Sequence, residues 1–275
     1  MNAMGHQTII VVPGQCVSHS CGYSPDGENM ITIVSTNKEF INAHAEQFNY
    51  FRSLCRPALK VHRDPREFPK MLLDYISLKG DVCQKTLPLP TLSMPIELAE
   101  IFSEQTEDFL WKEAYQKVSS AITVFEEHLL TYKHIDISPL SSVKDIVAGR
   151  VPAASPYLPK NGYRVYTPET YIMHLKNILR LMDTYDNYTF IPMDIETFQG
   201  YNLMVNDGGT ALLSHGQKNL PMIMGFHRPE IVLSCKEHLM RIVDREGSSK
   251  AARERTKARL KTLISDLEKA IKTKG

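Results

Sequence analysis

Two cysteines and a histidine near the start of the chain are the first residues whose types could do chemistry. Cys16 and Cys21 are separated by four residues, and His19 lies between them. Thiolate and imidazole groups ligate zinc, but structural zinc sites use closer pairs and a second pair further along the chain. The remaining cysteines are widely scattered. The spacing therefore predicts a loop with reduced thiols and no metal site.

Several catalytic motifs are absent from the sequence. It contains no His-Glu-x-x-His helix motif, no Gly-x-Ser-x-Gly elbow and no phosphate loop ending in Gly-Lys-Ser/Thr. Its glycines are too widely spaced for a dinucleotide fingerprint. We therefore predict no catalytic residues and no cofactor. The ten histidines and many serines could still meet in space, so a hydrolase or phosphodiesterase with an unrecognised dyad stays as the alternative.

Polar residues at strand ends are the candidates for ligand binding. Ser35, Thr36 and Asn37 precede a predicted helix, whose N-terminal N–H groups favour an anion. Plain helix capping is the alternative interpretation of these three residues.

Three further candidates lie elsewhere in the chain. The guanidinium of Arg56 could hold a carboxylate or phosphate through two hydrogen bonds, or could form a surface salt bridge. Ser214 and His215 lie at the end of a predicted strand, where a histidine can also do no more than hydrogen-bond locally.

Alternation of apolar residues predicts the elements that would position these side chains. A strand at Thr8–Val12, a loop from Gln15 to Asn29 and a strand at Ile31–Val34 precede a helix that starts with the Thr36/Glu39 capping box. Asp64-Pro65 starts another helix, and a long helical stretch runs from Pro95 to about Tyr132. Further predicted strands are Leu59–His62, Val82–Leu87, Tyr188–Pro192, Tyr201–Val205, Thr210–Ser214 and Pro221–Phe226, and further helices are 167–185 and 228–245.

The C-terminal segment has its own charge and periodicity. From Ser248 to Gly275 there are nine Lys and Arg residues against three Asp and Glu residues. One apolar stripe at helical spacing follows the segment: Leu260, Leu263, Ile264, Leu267 and Ile271. We expect this helix to pack against a second subunit more than against its own chain, with nucleic-acid contact as a further alternative.

Composition sets the class of protein. The 275 residues are 43% hydrophobic and 23% charged, with a formal net charge of +1, which indicates a globular chain and excludes fibrous and disordered classes. The chain shows no apolar run of membrane-spanning length and no secretory signal. Five cysteines in a chain of this size favour a reducing compartment. We therefore expect a cytoplasmic protein with five free thiols and no membrane partner.

A family resemblance covers most of the chain. Residues 201–214 read YNLMVNDGGTALLS, followed by LPMIMGFH at 220–227 and RPEIVLSCKEHLMRIV at 228–243. This order resembles the C-terminal part of the phospholipase-D-like effector domain of sugar-responsive archaeal and bacterial transcription regulators. The stretch from Ile31 to Val61 is similar to the start of the sensor region in bacterial helix-turn-helix regulators.

The chain departs from the active phospholipase D pattern, His-x-Lys-x4-Asp. His215 and Lys218 are one residue too far apart, and no Asp follows in register. A misplaced pair cannot hold a phosphoryl group in line for attack. No helix-turn-helix precedes Ile31, so the resemblance implies that DNA is contacted only through a domain that this chain does not contain.

The sequence thus predicts an α/β protein in which mixed sheets flanked by helices form two lobes of phospholipase-D-like type. The predicted parts are an α/β lobe at 5–94, a helical segment and linker at 95–166, an α/β lobe at 167–247 and a basic amphipathic helix at 248–275. The predicted function is a non-catalytic ligand-sensing or regulatory domain, the effector part of a transcription regulator. Its expected partners are a small-molecule effector and a second copy of the chain.

Overall fold

The chain folds as two compact units. The structure, a computed structural model, describes residues 6–22, 30–55, 59–105, 109–153, 165–193, 200–215, 222–247 and 249–274. The first unit comprises Met1–Pro57 and the second Ala58–Gly275. The boundaries predicted at 94, 166 and 247 all fall inside the second unit.

The first unit is a small antiparallel sheet with one helix. Strands β1 (His6–Val12), β2 (Cys16–Gly22) and β3 (Met30–Ser35) pair in that order, and helix α1 (Lys38–Leu54) packs on β1 and β2. The predicted loop from Gln15 to Asn29 is wrong over its first half, because β2 forms there. Its small polar residues pair with the β-branched residues of β1 and β3, so tertiary pairing overrides its weak strand propensity.

The second unit is built on a single seven-stranded sheet. The strand order is β4-β10-β9-β8-β5-β6-β7. In chain order the strands are β4 (Leu59–His62), β5 (Val82–Lys85), β6 (His134–Pro139), β7 (Tyr188–Met193), β8 (Tyr201–Asn206), β9 (Thr210–His215) and β10 (Met222–Phe226).

The sheet is mixed, and its two halves meet at one pair of strands. Strands β5, β6 and β7 are parallel, whereas β8, β9, β10 and β4 form an antiparallel meander. The halves join where β5 pairs antiparallel with β8. The predicted mixed α/β class is confirmed. The finer prediction of two phospholipase-D-like lobes is not specifically confirmed, and strands from both predicted lobes lie in this one sheet.

Strand β6 was missed in the sequence and lies between β5 and β7. The sequence predicts helix and linker over 95–166, yet His134–Pro139 pairs in parallel with both neighbours. His134 and Asp136 are buried polar residues, so the strand lacks the apolar run that normally marks a buried parallel strand.

Helices flank the sheet on both faces. The long stretch predicted from Pro95 is divided into two helices. The helices are α2 (Phe68–Ile76), α3 (Ile96–Glu104), α4 (Phe109–His128), α5 (Val143–Val147), α6 (Pro168–Thr184), α7 (Pro229–Glu246) and α8 (Lys250–Lys274), with 3-10 turns at Pro65–Glu67 and Thr91–Ser93.

Two hydrophobic clusters occupy the two faces of the sheet. The larger one joins α2, α3, α4, α6 and α8 to the face that carries Val82, Phe190 and Leu212. The smaller one joins α7 to the face that carries Cys83 and Val205. Alternation along each strand sends successive side chains to opposite clusters.

The C-terminal helix packs on its own chain, which corrects the expectation that it packs against another subunit. Leu260, Ile264 and Leu267 are buried in the larger cluster, where α8 contacts α5, α6 and β7. Arg253 donates hydrogen bonds to the carbonyls of Met182, Tyr185 and Tyr188. The predicted apolar stripe is confirmed, but α6 and β7 cover it and no second chain is needed.

We predict that Leu267→Ala lowers the stability without changing the mass in solution. Leu267 is fully buried, and truncating such a leucine costs about 2–5 kcal/mol. Urea unfolding should therefore shift strongly for this variant, while Lys272→Ala, at an exposed position of the same helix, should match the wild type. A change of mass with unaltered stability would instead assign the stripe to a subunit interface.

Candidate ligand-binding site

A groove on the larger-cluster side of the sheet is the main candidate site among the described residues. It lies between α2 and strands β4, β9 and β10, and its volume is about 560 Å³. The residues that line it, hereafter the α2 groove, are Lys60, His62, Glu67, Lys70, Met71, Asp74, Tyr75, Leu78, Thr210, Leu212, Gly225 and His227.

Strand register explains why the α2 groove is open at its base. Gly225 of β10 pairs with Lys60 on one side and with Leu212 on the other, so these three residues share one face of the sheet. A Cβ atom at Gly225 would lie 3.6 Å from Leu212 Cδ2 and 3.7 Å from His227 Nε2. Because Gly225 has no side chain, the base of the groove stays open at a position that any other residue would fill.

The second wall is one face of α2. Lys70, Met71, Asp74 and Tyr75 recur at helical spacing along it. The opposite face buries Leu72 and Ile76 in the larger cluster, which fixes the helix while this wall faces the groove. Proline near the N-terminus of α2 and the 3-10 turn before it set where the helix begins.

Hydrogen-bonded pairs surround the apolar floor of the α2 groove. His62 Nδ1 bonds to Glu67 Oε2, Lys70 forms an ion pair with Asp74, and Thr210 Oγ1 lies 3.1 Å from His227 Nδ1. The Lys70–Asp74 pair is more than half exposed, and exposed pairs contribute only about 0–1 kcal/mol. A ligand could therefore exchange partners with these side chains at low cost.

A second, much smaller cavity lies at the end of β5. Gln84, Thr86, Asn202 and Ser214 contribute polar groups to it, and its volume is about 30 Å³. Gln84 Oε1 and Thr86 Oγ1 are buried without a hydrogen-bond partner among the described residues. That volume accommodates one or two water molecules, so the cavity is too small for an organic ligand.

Polar side chains also form a sealed network inside the larger cluster. Gln84 Nε2 donates to Asp136 Oδ1 at 2.6 Å, Tyr188 Oη donates to Asp136 Oδ2 at 2.7 Å, and His134 Nε2 lies 2.9 Å from Asp136 Oδ1. All four residues are at most 1% exposed. Burial, followed by the nearby Asp136 charge, raises the pKa of Tyr188 well above its ordinary value. A His–Asp pair enclosed in this way cannot touch a substrate.

His174 is a second buried histidine, and it is held between two hydroxyl groups. Tyr166 Oη lies 2.6 Å from its Nδ1, and Ser93 Oγ lies 3.2 Å from its Nε2. Burial lowers the pKa of His174 to about 3. The imidazole is therefore neutral at physiological pH and acts as a structural link between α6 and the turn at Thr91–Ser93.

On the other face of the sheet, Lys85 is a buried cation. Its side chain is 1% exposed, and Nζ lies 3.7 Å from the centre of the Tyr201 ring. Desolvation lowers the pKa of Lys85 to about 8. Tyr201 Oη in turn lies 2.7 Å from His238 Nε2 of α7. This arrangement stabilises the ammonium through the ring face and ties β8 to α7.

The predicted residues of the first unit form a helix cap. Asn37 is the N-cap of α1, and its Oδ1 accepts from Phe40 N at 3.1 Å. Ser35 Oγ accepts from Asn37 N at 3.2 Å. The predicted cap residue was Thr36, so the helix begins one residue later. These contacts correspond to the capping alternative, and anion binding at Ser35, Thr36 and Asn37 stays a prediction.

The other predicted residues lie in different places. Ser214 is buried and lines the small cavity opposite Asn202. The backbone of His215 ends β9, paired with Met222 and Tyr201, and its side chain lies outside the described part of the structure. Arg56 also lies outside the described residues, as does Lys218.

The remaining chemical predictions concern cysteines and metals. All five cysteines are free. Cys16 and Cys21 stand five positions apart on one strand, so their side chains point to opposite faces and cannot bridge. Within the described ranges, no group of three His, Cys, Asp or Glu residues could hold a metal ion. Over the same ranges, no helix has the length and apolar character to cross a bilayer.

Sequence reasoning missed the residues of the α2 groove. Lys60 and His62 alternate with apolar residues on β4, a signal that was available for a polar sheet face. Their meeting with Gly225 and Leu212 depends on a strand order that brings residues 60 and 225 together. No local pattern carries that information.

The comparisons with known proteins include a distant structural likeness. No protein-family model matches the chain, and no curated protein matches its sequence. Among solved structures, TrmBL2, described as an archaeal chromatin protein with a novel mode of DNA binding, is similar with a TM-score of 0.36 and 8% identity. The match covers 75% of this chain and 61% of the TrmBL2 chain, so this chain spans less than two thirds of that protein.

Proposed function

We propose that the chain is a non-catalytic ligand-sensing domain that binds a small organic molecule in the α2 groove. The observation that carries this proposal is the groove itself, with its volume of about 560 Å³, its apolar floor and its polar rim. Pockets for small organic ligands typically measure about 300–1,000 Å³ and combine apolar walls with a few polar groups.

The rim indicates the kind of ligand. Two lysines and two acidic residues surround the floor together with His62 and His227, so the groove carries donors and acceptors in similar numbers. Met71, Leu78 and Leu212 supply apolar contact. A small molecule with an apolar body and several hydrogen-bonding groups fits this distribution.

The absence of catalysis is part of the proposal. The buried His134–Asp136 pair resembles part of a catalytic site, and its complete enclosure argues against contact with a substrate. The spacing of His215 and Lys218 does not match the phosphodiesterase pattern. A hydrolase with an unrecognised dyad is the alternative. Turnover in a phosphodiester assay would favour it.

Signalling would follow from the position of α2. A ligand in the groove contacts α2 on one side and strands β4, β9 and β10 on the other, so it favours the arrangement that holds the helix against the sheet. Such differential binding shifts the population between two conformations. In this proposal the shift reaches a partner, which is the mechanism of a regulatory domain.

The finer parts of the proposal concern the biological setting. We propose that the chain is the effector part of a cytoplasmic transcription regulator of the phospholipase-D-like type. DNA would be bound through a domain that this chain does not contain. The proposal includes a homodimer, formed by a surface other than α8 because α8 is covered within its own chain.

Filling the groove should abolish ligand binding and leave the fold intact. We expect compounds selected from a fragment library by NMR to lose at least tenfold in affinity in Gly225→Val, because the new side chain occupies the base of the groove. Gly225→Ala is the matched control, since a Cβ there meets only ordinary contacts of 3.6–3.8 Å. Compounds that bind both variants equally would show that the α2 groove is not the site.

A phosphodiester assay tests the non-catalytic part. Purified protein should not hydrolyse bis(4-nitrophenyl) phosphate above the rate of a mock preparation, because His215 and Lys218 are not spaced to hold a phosphoryl group in line for attack. Turnover that the wild type shows and that His215→Ala lacks would instead establish a phosphodiesterase.

A further inference from the structure

The first unit exposes an unusual amount of apolar surface. Among its described residues, Val17 and Ile41 are the buried large hydrophobic side chains. Large apolar residues are exposed on β3 and along α1, among them Ile31, Ile33, Val34, Phe48, Phe51 and Leu54. A unit of about 60 residues already has a marginal core, so this unit needs additional burial from a partner.

Among the described residues of the first unit, strand β3 is an unprotected edge. It pairs with β2 on one side and forms the end of the three-stranded sheet. Its sequence, MITIVS, contains no charge and no proline, the features by which natural proteins protect an edge. Met30 and Val34 are exposed on one face, and Ile31 and Ile33 are exposed on the other. Apolar residues on both faces are typical of a strand inside a sheet.

The position of α1 leaves β3 uncovered. The helix packs on β1 and β2, and the His44 ring lies 5.6 Å from the His19 ring of β2. Ile33 pairs with His19 and therefore lies on this same face. The helix thus covers β1 and β2 on this face and leaves Ile31 and Ile33 of β3 uncovered.

We propose that β3 pairs antiparallel with β3 of a second copy of the chain and forms a continuous six-stranded sheet. Antiparallel self-pairing is the isologous contact that a twofold axis generates. The inference rests on the dimer part of the proposed function and is independent of the α2 groove.

One symmetry operation accounts for both exposed surfaces. A twofold axis perpendicular to the joined sheet leaves both α1 helices on the same face, on either side of the central β3 pair. Ile31 and Ile33 then lie between the two helices, with Phe48, Phe51 and Leu54 available to cover them. Helix α1 has 17 residues and is about 25 Å long. With a six-residue strand edge, it offers a surface of the order of the roughly 800 Å² per partner in standard interfaces.

A charge on one edge of the sheet tests the proposal. Ile33 and Ile9 both pair with His19, so they occupy one row of the α1 face on opposite edges. Both are exposed, at 52% and 36%. We expect the wild type to have twice the monomer mass of 31.3 kDa in light scattering. Ile33→Lys should raise the dimer dissociation constant at least 100-fold, because it places two charges between the α1 helices, whereas Ile9→Lys should remain dimeric.

Hydrogen exchange of the wild type provides a second measurement that does not depend on any variant. Amides of residues 30–35 should exchange more slowly as the protein concentration rises, while those of residues 6–12 should not change. Circular dichroism checks that both variants are folded.

Three outcomes would overturn the proposal. A wild type that is monomeric at 100 µM would mean that the face is covered within its own chain, and it would also remove the dimer from the proposed function. A dimer that Ile33→Lys leaves intact would keep the dimer but reject the β3 surface. Dissociation by Ile9→Lys alone would assign the interface to β1.

Discussion

The antiparallel pairing of β5 with β8 is the contact on which the second unit depends. It joins a parallel half to an antiparallel half, and thereby joins residues that lie more than a hundred positions apart in the chain. Two turns next to this pair touch backbone to backbone. A Cβ atom at Gly208 would overlap the carbonyl of Lys79, and one at Gly80 would overlap the turn that contains Asp207. Asn206 secures the contact, because its Nδ2 donates to the carbonyls of Tyr75 and Leu78.

This contact determines where α2 lies. The carbonyls that Asn206 binds belong to the last turn of α2 and to the residues just after it, so the helix is tied to the start of the β8–β9 hairpin. The α2 groove lies between this helix and strands β9, β10 and β4. Burial of Leu72 and Ile76 and the Asn206 hydrogen bonds together hold the helix in place, so its other face forms a fixed wall of the groove.

Local patterns predicted most elements and failed where burial was polar. The apolar stripe of α8 could be predicted because Leu260, Ile264 and Leu267 repeat at helical spacing. The surface that covers the stripe could not be predicted from this pattern. Strand β6 could not be predicted, because His134 and Asp136 occupy positions where a buried strand normally carries aliphatic residues. The hydrogen bond between them allows their burial, but it leaves no apolar pattern in the sequence. The α2 groove could not be predicted, because Lys60, Leu212 and Gly225 become neighbours only through the strand order.

The register of β5 against β8 can be measured directly with a native cysteine. Cys83 pairs with Val205, and both side chains lie on the α7 face. Opposed residues in antiparallel strands have Cα atoms about 4.5–5.5 Å apart, within the range that a disulfide spans. After refolding in a glutathione buffer, peptide mapping of Val205→Cys should show a bond between residues 83 and 205. Met204→Cys, one position away and on the opposite face, should show none. Equal cross-linking in both variants, or none in either, would contradict the single seven-stranded sheet.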